Sequence, residues 1–422
     1  MATDVDVQYF SHLNGLVLGN NWGDMIRLLD TCLVNGLPLT SITSASIDTQ
    51  GDITLNLYAA HNCMLFQIIE LTGFAPSELN GKYRIKGIPT ATQLILKATH
   101  AGKTITTVGT AKLASLGYDI IFRDTNDVKR VYRAKNPTAQ HPFIRVDESL
   151  ASDTGLYAST YAKYAMVGLI EDMTHIDDYE NTSKLQLPLD TADFKKNWKI
   201  TSAGTSVVRG WSKWYWRRNA GPYANGVDTG APSTGNSKFS LVGDKNAFYL
   251  NNTFTASDDD KILKGCGIID SALPADTIPP WFLMTFLSTS VADTYINFAN
   301  VDGSTPMVIS DTYGYFLTPK YDIVSRLTQH TLAYGIMPDY FSGYSGLYST
   351  NNIAALEIPL NDAQKYLRGT LKHLHYCGKT NPTISNAAPI LADSSMYILD
   401  TGVIRQNSGG ANTAFYYYLG EL

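Results

Sequence analysis

The chain has 422 residues, with 33 Lys+Arg against 38 Asp+Glu and a formal net charge of -5. A hydrophobic fraction of 44% excludes wholesale disorder, and the near-neutral balance excludes a broad phosphate-binding surface, which would show as a basic stripe. Charged residues reach only 17%, below the ~25% usual in soluble domains, while 26 Tyr and 33 Gly suggest a β-rich protein with much contact surface.

The first residues carry neither a basic nor an apolar region, so no signal peptide is expected. Residues 21–35 read as a short amphipathic helix, with Met25, Leu28, Leu29, Cys32 and Leu33 at helical spacing and Asn35-Gly36 at its end. So small a helix must pack on a sheet or on a second subunit. From Leu39 the pattern turns to strands. Ile53, Leu55 and Leu57 alternate with Thr54 and Asn56, and Asn80-Gly81 marks a turn before a strand at 82–88. Segments 93–98 and 104–108 are further strand candidates. Five short strands in about 70 residues predict a small barrel or sandwich.

Strands at 118–122 and 128–132 flank Asp124-Thr-Asn-Asp127 as a hairpin, and 143–146 resumes the pattern. Residues 162–170 fit both a helical stripe and a period of two; Gly168 and β-branched Val167 favour the strand. Strand material at 211–216 and 238–250 brackets a long Gly/Pro/Ser/Thr/Asn-rich loop, 221–236. The most apolar stretch, 278–287, is shorter than the about 20 residues of a membrane span. Residues 366–375 begin like a helix after Asn361-Asp362, with Gly369 interrupting. No repeat of fixed period and no heptad run is visible. The expected architecture is mainly β: an N-terminal helical segment (1–38), a small β-barrel or sandwich module (39–115), and a larger β-rich domain (116–422).

Chemical motifs fail one by one. Gly102-Lys-Thr and Gly378-Lys-Thr lack the glycine five positions earlier that a P-loop needs; Lys97 and His373 stand there. Gly343-Tyr-Ser345-Gly-Leu is not a nucleophile elbow. Cys32, Cys63, Cys266 and Cys377 are scattered, as packed thiols would be. His373, His375 and Cys377 would share a face of a strand, yet no fourth ligand stands near. Asp258-Asp-Asp260 lacks calcium-loop spacing. Glu171-Asp172 and Asp177-Asp178 could supply an acid pair for glycoside cleavage, but adjacent acids more often serve turns. No catalytic residue, cofactor or metal is therefore expected. The one cluster singled out is Trp211, Trp214, Tyr215, Trp216, Arg217 and Arg218: either a glycan-stacking platform or aromatics at a subunit contact.

The segment His61–Ile88, with its apolar stretch ending in Thr72-Gly73 and then Leu79-Asn-Gly81, resembles a small β module of bacteriophage structural proteins. Val131-Tyr-Arg-Ala-Lys-Asn-Pro137, Phe143-Ile-Arg-Val-Asp-Glu148 and Ala165-Met-Val-Gly-Leu-Ile-Glu171-Asp-Met173 follow in order. With Trp211-Ser-Lys-Trp214, Val242-Gly-Asp244, Ala247-Phe-Tyr-Leu250 and Leu367-Arg-Gly-Thr-Leu371, they resemble a family of tailed-phage virion proteins over roughly residues 40–380. Leu169-Ile170 stands where that family usually has Tyr beside the Glu, and Lys372-His373 replaces its Pro-Gly. The resemblance implies a non-enzymatic virion component assembled in the host cytoplasm. It would form homo-oligomers and contact other virion proteins, with the tail or baseplate favoured and head decoration or a neck collar nearly as well placed. A carbohydrate-binding adhesin meeting a host surface glycan is the alternative, and a wall- or capsule-degrading enzyme the third. Neither nucleic acid nor membrane is expected as a partner.

Overall fold

A computed structural model describes residues 4–149, 164–181, 183–189, 213–217, 235–254, 259–274, 278–289, 308–309, 312–313, 316–320, 330–337, 355–377, 384–406 and 409–422. Most of the predicted 221–236 loop lies outside them. The fold is mainly β, built of antiparallel sheets around one short helical segment. That segment runs as an α-helix over Asp24–Leu29 and widens into a π-helix over Asp30–Asn35. Its apolar stripe, Met25, Leu28, Leu29, Cys32 and Leu33, is buried in the same core as the first sheet.

Seven strands form that sheet, in the order Leu37–Pro38, Thr110–Leu113, Ile68–Thr72, Gly81–Thr90, Gln93–Lys97, Ile53–Leu57 and Ile42–Ile47. The alternation read at 53–57 is real, with Ile53, Leu55 and Leu57 inward. The two edge strands are consecutive in sequence and separated by residues 39–41 alone. The four Cα–Cα steps from Pro38 to Ile42 span at most about 14 Å, whereas seven strands laid flat would be about 29 Å wide. The sheet therefore curls until its edges adjoin, as expected of a small barrel. One strand expectation needs correcting. Segment 104–108 makes only an isolated bridge, Ala75 to Thr107, and the strand begins at Thr110. Between them Gly109 passes so close to its neighbour that a Cβ there would lie 2.0 Å from Thr72 O. Regular pairing starts only after that crossing.

A six-stranded sheet follows. Its hairpin Tyr118–Arg123 and Lys129–Ala134 turns on Asp124, whose Oδ1 accepts from Val128 N (3.0 Å) and Lys129 N (2.7 Å). The ambiguous segment is a strand, Tyr164–Ile170, paired with Phe143–Asp147 on one side and with Gln186–Leu187 and Lys213–Tyr215 on the other. All seven of its residues are buried, which explains the mixed periodicity: a strand covered on both faces has no polar side.

Apart from a two-stranded ladder of Val308–Ile309 with Thr312–Tyr313, the remaining strands make a thirteen-stranded sheet that returns on itself. From Lys261–Ile268 the path runs through Trp281–Met284, Phe316–Pro319, His330–Gly335, Leu356–Asp362, Leu367–Tyr376 and Gly409–Glu421 to Ser395–Gln406. A parallel contact, Ile262 to Val403, closes those eight strands into a ring around a second core. The helix-like start at 366–375 is thus corrected to a strand, Leu367–Tyr376. Asp362 does cap, but it caps a hairpin turn: its Oδ1 accepts from Gln364 N and Tyr366 N, both at 3.0 Å. Gly369, at φ +141°, lets this strand meet Asp270–Ser271 where a Cβ would sit 2.0 Å from Asp270 O.

Side chains with several donors stitch the sheets together. Gln8–Ser11 joins the edge of the large sheet through Phe239–Gly243, while the Gln8 amide donates to Ile68 O and Ala114 O, both at 2.9 Å. The buried Arg84 guanidinium donates to Asp4 O, Val7 O, Phe66 O and Leu419 O. Asp4 N in turn donates to Glu421 O (3.1 Å), so the two ends of the described chain lie side by side.

Candidate interaction surface

The Trp cluster predicted as a contact platform is interior. Trp214, Tyr215, Trp216 and Arg217 are each at most 1% exposed; Trp211 and Arg218 lie outside the described residues. Trp214 meets Phe248 edge-on at 5.8 Å between ring centres, and Tyr215 packs on Tyr164 at 5.0 Å. The Trp216 indole donates to Gly19 O at 2.7 Å. These rings weld the six-stranded sheet to the large one and to the N-terminal segment, and none of the four presents a face outward. Burial pulls the Arg217 guanidinium below its ordinary pKa, with Asp24 opposing.

The other singled-out residues are likewise engaged within the fold. His373, at φ +61°, sits where the pairing with Leu356–Asp362 is irregular, which breaks the simple alternation read from the sequence. His373 Nε2 lies 3.3 Å from Asp244 Oδ2, while His375 stands edge-on to Tyr397 and Tyr418. Among the described residues no group of three or more His, Cys, Asp or Glu side chains could hold a metal ion. Asp172 pairs with Lys184, Asp177 with Arg145 (3.2 Å), and Asp178 accepts from Thr174 and His175. Asp259 pairs with Lys238 at 2.5 Å. All four cysteines are buried and unbridged.

An aromatic face that the sequence reading did not single out lies on the C-terminal hairpin. In Gly409–Glu421, Phe415 and Tyr417 point inward with Leu374 and Ile398. The period of two then places Tyr416 and Tyr418 on the opposite face. Register brings His375 beside Tyr416 and Tyr397 beside Tyr418. Tyr397 is the hub, with ring centres 5.4 Å from Tyr418, 6.1 Å from Tyr416 and 6.4 Å from His375. Tyr397, Tyr418 and His375 are half-buried. Tyr418 Oη donates to Glu421 Oε1 (2.6 Å), which raises the phenol's pKa further than its burial alone. Burial lowers the His375 pKa against the pull of Glu357, so at neutral pH the ring is an uncharged aromatic. Beside the face runs Ala388–Ala392, the last strand of the sheet, carrying Leu391 at 47% exposure. Rigid rings, few charges and a strand that pairs on one edge only among the described residues are the ingredients of a protein contact. The signal was readable: Ala414-Phe-Tyr-Tyr-Tyr-Leu419, taken as a strand, must put alternate tyrosines outside.

The class these observations define is a multi-sheet antiparallel β protein. Neither a family model nor a curated protein matches the chain. Among solved structures it is similar to the phage phi92 endosialidase, at 8% identity and a TM-score of 0.15, over 91% of this chain and 52% of that one. The chain thus spans about half the length of that protein. A TM-score this low defines no common fold. No helix among the described residues is long and apolar enough to cross a membrane.

Proposed function

We propose that the chain is a non-enzymatic structural component of a tailed-phage virion, assembled in the host cytoplasm and joined symmetrically to copies of itself and to other virion proteins. The tail or baseplate region is the favoured position, ahead of head decoration or a neck collar. One observation carries this reading. The segments that resemble the virion family, where described, fall in order on paired and mostly buried strands: Lys129–Ala134, Phe143–Asp147, Tyr164–Ile170, Lys213–Tyr215, Phe239–Gly243 and Ala247–Thr253. The likeness therefore lies in framework positions, where packing restricts sequence most. Contact with neighbours is assigned to the Tyr397 face and the adjoining strand Ala388–Ala392.

Antibodies raised against the purified chain are expected to label intact particles, and native mass spectrometry to show a closed oligomer. A chain that stays monomeric and leaves particles unlabelled sinks the reading. The same half-exposed rings favour a carbohydrate-binding component as the second reading, since sugars stack on aromatic faces. Glycan-array binding lost in Tyr397→Ala, with the oligomer retained, would select it.

A further inference from the structure

Three fully buried polar side chains on three strands meet at one point in the large sheet. Lys261 begins the strand Lys261–Ile268, Asn251 lies on the adjacent Ala247–Thr253, and Asp400 lies on Ser395–Gln406; each is 0% exposed. Thr253 is paired with Lys261 and Asn251 with Leu263, so Lys261 and Asn251 are diagonal neighbours on one face. Asp400 bridges them. Its Oδ1 accepts from Lys261 Nζ at 2.5 Å, and its Oδ2 accepts from Asn251 Nδ2 at 3.0 Å. Ser240 Oγ (2.6 Å) and Thr401 N (2.9 Å) hold the carboxylate in place. One atom is left over: Asn251 Oδ1 is buried and accepts no hydrogen bond.

We propose that this triad is an autocatalytic cross-link site, at which Lys261 Nζ and Asn251 Cγ join in an isopeptide bond with release of ammonia. An amine, a carboxamide and a carboxyl that touches both are what that reaction requires. Lys261 Nζ passes one proton to Asp400 Oδ1 and becomes nucleophilic. The Nζ lone pair forms a bond to Asn251 Cγ, and the carbonyl π electrons move to Oδ1. Asp400 then delivers its proton to Nδ2, as a general acid. The Cγ–Nδ2 bond breaks, ammonia leaves, and Asp400 takes the second Nζ proton, ending as a neutral acid. The five protons of the ammonium and carboxamide finish as three on ammonia, one on the new amide and one on Asp400. Nothing is oxidised or reduced. Holding both groups on one carboxylate supplies the effective concentration that makes such a step feasible.

A built-in contrast stands one turn of the pleat away. Lys264 Nζ donates to Asn252 Oδ1 at 2.6 Å and to Ile262 O at 3.4 Å, again in full burial. Burial pushes that amine well below its ordinary pKa. Yet among the described residues no carboxylate lies within ion-pair reach of Lys264 to move protons. Bond formation is therefore assigned to Lys261 and not to Lys264.

Mass spectrometry of the full-length chain decides the matter. The denatured wild-type protein is expected to be lighter than its sequence mass by one ammonia. Trypsin is expected to leave Lys261 uncut and to yield one peptide, 246–264, short by one ammonia. Lys261→Arg, Asn251→Ala and Asp400→Asn should each restore the full mass, while Ser240→Ala keeps the cross-link. Uncut Lys261 separates this product from a succinimide at asparagine, which leaves the lysine open to trypsin. Wild-type protein of full mass, cleaved after Lys261, overturns the proposal whatever the variants do. So does a cross-link found at Lys264.

Discussion

Single residues in this fold act mainly by satisfying buried donors and acceptors, and Glu148 is the sharpest case. It is fully buried and accepts from Ile26 N at 2.8 Å and from Gly23 N, at the start of the only α-helix among the described residues. Burial pushes its carboxyl up to about 8; the two N–H groups and Arg27 pull it down, and Asp24 adds to the rise. A folded-state pKa above the ordinary 4.5 means that the folded chain binds this proton more tightly than the unfolded chain. The associated stability is present below 4.5 and is lost as pH rises towards 8, on the order of a few kcal/mol in all. Urea unfolding of Glu148→Gln at pH 5 and pH 8 should show a much smaller fall than wild type. Equal falls in both proteins would remove Glu148 as the cause. None of this was legible in the sequence, where Glu148 reads only as the end of a strand motif; its depth depends on the helix that covers it.

At the scale of elements, the sequence reading succeeded where one face was wet and stumbled where both were dry. Ile53–Leu57 shows a clean alternation because Thr54 and Asn56 face outward. Tyr164–Ile170 gave a mixed pattern because nothing on it is outward. Leu367–Tyr376 looked helical because Asp362 and the following polar residues mimic a helix start, and hairpin turns use the same capping chemistry. Gly369 was the clue against the helix, and it has a mechanical role. Gly369→Val would drive a side chain into the Asp270 carbonyl and force a residue from an extended left-handed conformation. A loss of about 1–3 kcal/mol is expected, with hydrogen exchange rising first at Asp270–Ser271. Unchanged exchange there would show that the two segments do not depend on each other.

Across the whole molecule, the two aromatic clusters separate packing from contact. Trp214→Ala empties a sealed site between sheets and should cost about 3–5 kcal/mol in the isolated chain. The pair Tyr397→Ser and Tyr418→Ser removes half-exposed rings and should cost about 1 kcal/mol each, the order of an aromatic pair. In assembly the ranking should reverse, with the tyrosine variant folding but failing to oligomerise in native mass spectrometry. A tyrosine variant that still assembles would move the contact elsewhere. Composition pointed to aromatic contact surfaces, and segment order pointed to a phage framework. The outward tyrosines at 416 and 418 were readable from strand alternation, whereas the burial of Trp214–Arg217 was not, because large aromatic rings serve cores and interfaces alike.

Asp4 donates its backbone N–H to Glu421, and Arg84 holds carbonyls from both ends of the described chain. The fold is thus topologically almost a circle. A short flexible linker between the two ends, with new ends opened in the exposed turn 124–127, gives a circular permutant that keeps every strand pair. In such a protein the new ends emerge from the hairpin of the six-stranded sheet. A tag fused there and a second tag carried in the linker would mark two separate points of one molecule, enough to fix its orientation in a particle image.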